Sequence, residues 1–353
     1  MLVSLREQIA QMLCFGFSGS LFSEATELQN WLQNQDGLGW LIAFDYDLQN
    51  KSYPKNIVSL EQIKKLNHDI KKFYHIHHAT KLPLKISVDV EGGKVDRLAR
   101  CNGYQSSPSA FVMANMDSQQ RAVIWQALAE LLKDLGFDLN FAPVVDLNLS
   151  PGQGIFGPLQ RCFSDKAHEV SQLAMEYINI LKKNAIMACL KHFPGHGSAS
   201  GDSHTGFVDV SASFQEQELI PYQQLITQPN LVAGIMTAHV INKHLDASGL
   251  PATLSKKILN GLLRDKLNYQ GLIFSDDLQM HAIAKFFSRS EAIKLSIEAG
   301  ADVIMFCNQL GNCEPGDIID EVEELVQNKS LDKDLITRAY QRIAAYKLAY
   351  THL

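Results

Sequence analysis

Eight short apolar runs, separated by longer segments with the periodicity of amphipathic helices, are the feature that most limits what this chain can fold into. Several helical segments open on a Ser and close on or just before a Gly or Asn, as capped helices do. Eight strands that alternate with helices predict a closed (β/α)8 TIM barrel rather than an open doubly wound sheet. The predicted strands are Met12–Phe17, Gly39–Phe44, Leu84–Val90, Asp138–Val145, Ile186–His192, Leu231–Ala238, Gly271–Ser275 and Asp302–Cys307.

The predicted barrel accounts for most of the chain. Its 353 residues, of which 46% are hydrophobic, are enough to bury a large core. We expect the catalytic barrel to occupy residues 1–310. The tail, residues 311–353, has the pattern of two helices and is expected to pack on the barrel as an extension of the same domain.

Composition argues against several classes of protein. A net charge of −6, with 20% charged residues, does not suit a basic nucleic-acid-binding surface. No apolar stretch approaches the ~20 residues of a membrane helix, and we expect no secretory signal. The six cysteines are scattered without a C-x-x-C pair, which is typical of reduced cytosolic thiols. We therefore expect a cytoplasmic protein without a membrane span, a nucleic-acid partner or an obligate protein partner.

The segment Leu190–Phe207, LKHFPGHGSASGDSHTGF, predicts an active-site loop. It follows an apolar run and combines a Pro-Gly turn with small residues, which allow the backbone to move. Asp202 precedes His204 by two residues, and its carboxylate can accept the Nδ1 proton of the imidazole and stabilise the cationic ring. An imidazole can donate and accept protons near neutral pH without deep burial.

Further polar side chains follow the predicted strands. The active sites of TIM barrels lie at the carboxyl ends of their strands, so these side chains are expected to share one face of the molecule. They are Asp89 and Glu91 after the third strand, Asp146 after the fourth, Lys191 and His192 after the fifth, His239 after the sixth, Asp276 and Asp277 after the seventh and Asn308 after the eighth.

Four motifs carry a resemblance to a known family: VDVEGGKVDRL at 88–98, NFAPVVDLN at 140–148, KHFPGHG at 191–197 with DSH downstream, and IFSDDLQM at 273–280. The chain resembles glycoside hydrolase family three, and more narrowly its short, single-domain β-N-acetylglucosaminidases of bacterial peptidoglycan recycling. The resemblance implies a (β/α)8 barrel that hydrolyses a terminal β-linked N-acetylglucosamine (GlcNAc) with retention. Muropeptides are the implied substrate, and no metal or other cofactor is implied.

The same resemblance assigns the catalytic roles. Retention needs a carboxylate that attacks the anomeric carbon and a second group that protonates the leaving oxygen and later deprotonates water. Asp276 matches the family's nucleophile, and His204, oriented by Asp202, matches its acid/base. We expect Asp277, the second Asp of the SDD motif, to cap the following helix instead.

Five positions match the family's sugar-binding residues. Asp89 and Arg97 correspond to the pair that holds hydroxyls of the non-reducing sugar. Two neighbours depart from the family pattern, Lys94 where Arg is common and Val90 where Gln is common, but neither has an assigned role. The complete predicted set is Asp89, Arg97, Arg161, Lys191 and His192.

Other functions stay open at this stage. The protein could be another β-glycosidase, or a phosphorylase acting on β-GlcNAc conjugates. A metal-dependent barrel hydrolase could use several of the histidines with Asp276, although the first strand ends without the usual pair of His ligands. A non-catalytic carbohydrate-binding barrel would have lost one of Asp276, Asp202 or His204, and all three are present. The position of Lys191 beside His192 also permits a Schiff-base aldolase.

Overall fold

The computed structural model describes residues 3–199, 201, 206, 208–228 and 231–350 of the chain. Eight parallel strands in these parts of the chain close into a barrel, which confirms the predicted (β/α)8 fold. The described strands are β1 Leu13–Gly16, β2 Trp40–Ile42, β3 Lys85–Val88, β4 Val90–Gly92, β5 Val95–Asp96, β6 Leu139–Asn140, β7 Met187–Phe193, β8 Val208–Asp209, β9 Gly234–Thr237, β10 Val240–Ile241, β11 Leu272–Asp277 and β12 Val303–Phe306.

Helices surround the barrel. In α9 the predicted capping is present, since the Ser288 hydroxyl accepts the backbone N–H of Glu291 and the helix ends at Gly300 with a φ of 114°. The segment Lys257–Lys266 is a π-helix rather than an α-helix. The α-helices are α1 Leu5–Gln11, α2 Thr26–Gln33, α3 Leu60–His77, α4 Ala110–Ala114, α5 Ser118–Asp134, α6 Ala167–Lys183, α7 Ile220–Ile226, α8 His281–Ala284, α9 Arg289–Ala299, α10 Pro315–Gln327 and α11 Lys333–Ala349.

Each of the eight predicted apolar runs contributes one barrel strand, in the order β1-β12-β11-β9-β7-β6-β3-β2. The fourth run is the least regular, because only Leu139–Asn140 of it is a strand. There the side chain of Asn140 replaces a backbone hydrogen bond between strands, because its Oδ1 accepts the N–H of Val90 at 2.9 Å. Pro143, which has no N–H to donate, follows shortly after.

Aromatic rings fill the barrel. The Trp40 ring lies 5.4 Å from that of Phe274, which in turn lies 5.5 Å from Phe141, both in edge-to-face contact. Strands β2 and β11 are not neighbours in the barrel, so the contact between Trp40 and Phe274 crosses its interior. The carboxyl ends of the strands therefore stand on a packed core rather than on an open channel.

Two helices of the tail, α10 and α11, pack against the barrel. In α11, the fully buried Lys347 places its Nζ 4.6 Å from the centre of the Trp40 ring. Its Nζ donates to Gln11 Oε1 at 2.7 Å and to the carbonyl oxygens of Gly39 at 2.7 Å and Pro83 at 3.0 Å. These carbonyls precede β2 and β3, so Lys347 ties the tail to the amino-terminal end of the barrel. No described helix is long and apolar enough to cross a membrane.

We predict that Lys347→Ala destabilises the whole fold. Removing Nζ leaves two buried oxygen acceptors and one partly buried acceptor without this donor, a defect expected to lower the free energy of unfolding by about 2–5 kcal/mol. Urea unfolding of the variant and of the wild type measures the change. Lys333→Ala, at an exposed position of the same helix, is the control and should change stability by less than about 0.5 kcal/mol. Equal stability of Lys347→Ala and the wild type would contradict the anchoring role.

Candidate active site

One cavity of about 420 Å³ opens at the carboxyl ends of the barrel strands. It brings together every predicted catalytic or sugar-binding residue that lies within the described parts of the chain. Asp202 and His204 lie outside the described residues, so their predicted roles stay predictions. The predicted residues that line the cavity are Asp89, Arg97, Arg161, Lys191, His192 and Asp276.

A buried carboxylate, that of Glu91, organises the floor of the cavity. Arg161 donates to both Glu91 oxygens at 2.7 Å, and Lys191 Nζ lies 2.7 Å from Glu91 Oε1. Lys191 also donates to Asp89 Oδ1 at 2.7 Å. Burial raises the pKa of Glu91, but the two cations outweigh burial and hold that pKa below its ordinary value. The floor therefore carries fixed ionic groups near neutral pH.

Glu91 was not predicted to take part in the site. The one sequence feature that could have indicated its role is its position in the VDVEGG motif, at the end of a strand. The bidentate pair with Arg161 joins residues 70 positions apart, a separation that no local pattern encodes.

A second buried carboxylate, that of Asp146, orients His192. Its Oδ2 lies 2.7 Å from His192 Nδ1 and accepts the backbone N–H of the same residue at 3.1 Å. Asp146 Oδ1 accepts the N–H of His196 at 2.8 Å. The Phe156 ring lies 5.4 Å from that of His192 and 4.9 Å from that of His196. His192 thus presents Nε2, its other ring nitrogen, in a fixed orientation.

His196 is buried beside Phe156 and His192. Burial is the largest influence on its ring and lowers its pKa to about 4, so the imidazole is neutral near pH 7. A neutral ring packed on Phe156 stabilises the start of the Gly-rich segment without adding charge to the cavity.

Glu218 holds the same segment from the other side. This buried carboxylate accepts the N–H groups of Gly197 at 3.1 Å and Ser198 at 3.3 Å through Oε2. A side chain at Gly195 would place its Cβ 2.7 Å from the Cβ of Glu218, so glycine is required for this approach. No sequence motif had pointed to Glu218, because its partners lie about 20 residues away.

The two aspartates that end β11 have different surroundings. Asp276 lines the cavity, its backbone N–H donates to Thr237 Oγ1 at 3.2 Å, and its Oδ1 accepts the N–H of Asp277 at 2.8 Å. Asp277 is buried and accepts the N–H groups of Gln279 at 3.0 Å and Cys307 at 3.2 Å. The expectation that Asp277 caps the next helix is wrong, since that helix follows Met280 and Asp277 joins β11 to β12 instead.

Arg97 lines the cavity beside Phe44 and Asp45. Its guanidinium is 5.6 Å from the centre of the Phe44 ring, and its Nη1 is 3.6 Å from Asp45 Oδ1. Among the described residues, Arg97 Nε has no hydrogen-bond partner although it is shielded from solvent. Arg97 lines the cavity, so the terminal N–H groups of its guanidinium can donate to a ligand oxygen, as expected for a hydroxyl-binding residue.

The histidines give the metal-hydrolase alternative no support in the described parts of the chain. His239 Nδ1 lies 2.8 Å from Thr253 Oγ1, and its Nε2 lies 2.9 Å from the carbonyl oxygen of Asp277. No group of three or more His, Cys, Asp or Glu side chains among the described residues is arranged to hold a metal ion.

Residues 4–346 match the glycosyl hydrolase family 3 N terminal domain. The chain is 35% identical over 275 residues to the beta-hexosaminidase LpqI of Mycobacterium tuberculosis, covering 75% of this chain and 68% of that protein. It is 38% identical over 240 residues to a beta-hexosaminidase of Tolumonas auensis, covering 66% of this chain and 69% of that protein.

Solved structures are similar over nearly the whole chain. A glycoside hydrolase family 3 beta-N-acetylglucosaminidase from Paenibacillus sp. superposes with a TM-score of 0.87 at 29% identity, covering 99% of this chain and 63% of that chain. LpqI from M. tuberculosis superposes with a TM-score of 0.81 at 30% identity, covering 98% of this chain and 94% of that chain.

We predict that Asp277 makes the fold less stable as pH rises. Burial raises its pKa from 3.8 to about 6, so between these values the folded state keeps a proton that the unfolded chain has lost. Asp277→Asn keeps an oxygen acceptor without this titration. The free energy of unfolding of the wild type, relative to the variant, should fall by roughly 2–3 kcal/mol between pH 4 and pH 7.

Denaturant unfolding of both proteins across this pH range measures that difference. Asp265→Asn, at an exposed position, is the control and should give a difference that does not vary with pH. A constant difference between the wild type and Asp277→Asn would contradict the raised pKa.

Proposed function

This chain belongs to glycosyl hydrolase family 3, and we propose that it is a retaining exo-β-N-acetylglucosaminidase that removes terminal β-linked GlcNAc. The observation that carries the proposal is the position of Asp276. This carboxylate, at the end of β11, lines the same cavity as the charged groups of Asp89, Arg97, Arg161 and Lys191. A nucleophile and a set of hydroxyl-binding groups therefore face one enclosed space.

The first half of the proposed reaction is the attack of an Asp276 oxygen on the anomeric carbon. The bond to the aglycone oxygen breaks, and that oxygen takes a proton from His204. The result is a covalent glycosyl-enzyme. In the second half, His204 removes a proton from water, the water oxygen attacks the anomeric carbon, and Asp276 leaves as a carboxylate. Two displacements at one carbon retain its configuration.

The floor of the cavity supports sugar binding. Charged groups on both sides of a sugar can donate to and accept from its hydroxyls, and such hydrogen bonds are about twice as strong as neutral ones. The Lys191 ammonium and the Asp89 carboxylate already contact each other at 2.7 Å, so they present a donor and an acceptor side by side. We propose that Asp89, Arg97, Arg161, Lys191 and His192 hold the GlcNAc ring.

The acid/base role of His204 is a proposal supported by its surroundings in the chain. The segment that precedes it is fixed at its start, where Asp146 binds the N–H of His196 and Glu218 binds those of Gly197 and Ser198. His204 follows Ser198 by only six residues in the chain, so a firmly held start limits how far it can be from the end of β7. Muropeptides of peptidoglycan recycling are the proposed natural substrates, on the basis of the KHFPGHG and DSH motifs.

The decisive experiment compares an aryl β-N-acetylglucosaminide with the matching β-glucoside, with and without phosphate. The wild type is expected to hydrolyse the N-acetylated substrate with much the higher kcat/KM, independently of phosphate. Asp276→Ala should lower kcat by at least about 1,000-fold, because no carboxylate remains to attack. Equal turnover of glucoside and N-acetylglucosaminide would contradict the proposed specificity. A mechanism-based fluorosugar should label Asp276, and labelling of Asp277 or Asp89 would reassign the nucleophile.

The role of His204 predicts a dependence on the leaving group. His204→Ala should reduce kcat/KM most for substrates whose leaving oxygen is most basic, because proton donation matters most there. Asp202→Asn should show a milder form of the same dependence, since the charge that stabilises the imidazolium is lost. A series of aryl β-N-acetylglucosaminides of different leaving-group pKa measures it. A uniform loss across the series would make His204 a binding or structural residue.

A further inference from the structure

The mouth of the active-site cavity differs in chemistry from its floor. Around the mouth the lining residues are apolar, and Leu48 and Leu159 are 46% and 36% exposed. They belong to the loops that follow β2 and β6, on either side of β3. Sugar hydroxyls are therefore met by charged groups at the floor, whereas whatever extends out of the cavity meets apolar surface.

Aromatic side chains extend the surface of the cavity outward from this mouth. Tyr46 lines the cavity, and its ring centre lies 4.4 Å from that of Tyr53, which is 46% exposed. The guanidinium of Arg100 lies 3.6 Å from the centre of the Tyr53 ring. Two tyrosine rings and one guanidinium thus form a continuous surface that begins inside the cavity and ends in solvent.

The positive charge at the outer end of this surface is only partly balanced. Asp45 faces two guanidiniums, with Oδ1 3.6 Å from Arg97 Nη1 and Oδ2 3.9 Å from Arg100 Nε. Among the described residues, no other carboxylate lies within ion-pair distance of Arg100. Its side chain is 62% exposed, so its outer donors face solvent. One carboxylate between two cations leaves a net positive charge.

We propose that Tyr46, Tyr53 and Arg100 form the binding site for the aglycone, and that this site selects aglycones that carry a carboxylate. The proposal rests on the proposed function, because it takes the GlcNAc ring to occupy the floor. An exo-acting enzyme holds the terminal sugar in the closed end of its cavity, so the aglycone must leave through the mouth. Rings of tyrosine offer a flat apolar surface to the CH face of a second sugar.

Arg100 supplies the specificity for charge. A guanidinium binds a carboxylate through two parallel N–H bonds, and its position on the Tyr53 ring limits its own motion before binding. Asp45 is the one carboxylate within ion-pair distance of Arg100 among the described residues, and Arg100 shares it with Arg97. The contact is exposed to water, so its contribution to substrate choice is expected to be modest and sensitive to salt.

Two substrates that differ only in this charge test the proposal. One is GlcNAc β-1,4-linked to N-acetylmuramic acid, and the other is the same disaccharide with its lactyl carboxylate converted into an amide. Their leaving hydroxyl is the same, so proton donation affects both equally. The wild type should hydrolyse the acid with a kcat/KM about two- to five-fold higher than the amide. Added NaCl should reduce this preference.

Arg100→Gln should abolish the preference by lowering kcat/KM for the acid towards that for the amide. Arg338→Gln, at an exposed position of α11, is the matched control and should keep the preference. Tyr53→Leu should lower kcat/KM for both disaccharides by about two- to ten-fold, because ring surface is lost to both. Unchanged values for Tyr53→Leu would overturn the aromatic part of the site.

Three further outcomes separate this inference from the proposed function. A wild type that hydrolyses both disaccharides with equal kcat/KM, or a preference that survives Arg100→Gln, would overturn the inference alone. A wild type that hydrolyses neither disaccharide nor an aryl β-N-acetylglucosaminide would overturn both the inference and the proposed function.

Discussion

The geometry of the cavity depends on the buried carboxylate of Glu91. It accepts two bonds from Arg161 and lies 2.7 Å from Lys191, so it connects the β4–β5 hairpin, the loop that precedes α6 and the end of β7. Removing an ion from water costs several kcal/mol, and a buried charge that loses its partner is strongly unfavourable. Arrangements of these segments in which the three charges do not meet are therefore excluded. This network fixes where Lys191 and Arg161, both members of the proposed sugar-binding set, can present their remaining donors.

Buried carboxylates also hold the Gly-rich segment in place where it leaves β7. Asp146 binds two backbone N–H groups and the His192 ring, while Glu218 binds two further N–H groups of the segment. Backbone donors that would otherwise be buried without partners are satisfied by carboxylates. The start of the segment is thus rigid, although its sequence is rich in glycine and serine. The proposed acid/base role of His204 therefore builds on a segment whose start is firmly held.

Much of the site was predicted from short motifs. The predicted family and enzyme class are confirmed by the comparisons, and the structure places Asp89, Arg161, Lys191 and Asp276 around one cavity. Asp202 and His204 stay predictions because they lie outside the described residues. The roles of Glu91 and Glu218 were missed, and Asp277 was misassigned as a helix cap. Arg161, Gly197 and Cys307, which are partners of Glu91, Glu218 and Asp277, lie about 20 to 70 residues away in the chain, so local spacing held no information about these contacts.

The sequence by itself determined the barrel and the chemical groups at its carboxyl end. Strand length, hydrophobic periodicity and helix caps are local properties, and parallel strands that alternate with helices have few ways to close. The tertiary structure alone decided which charges pair, that Lys347 of the last helix lies beneath the Trp40 ring, and that Arg100 stacks on Tyr53 at the cavity mouth. These contacts depend on how distant segments approach one another. The packing of the whole core and the need to pair buried charges determine how these segments approach one another. Neither can be inferred from a single stretch of the chain.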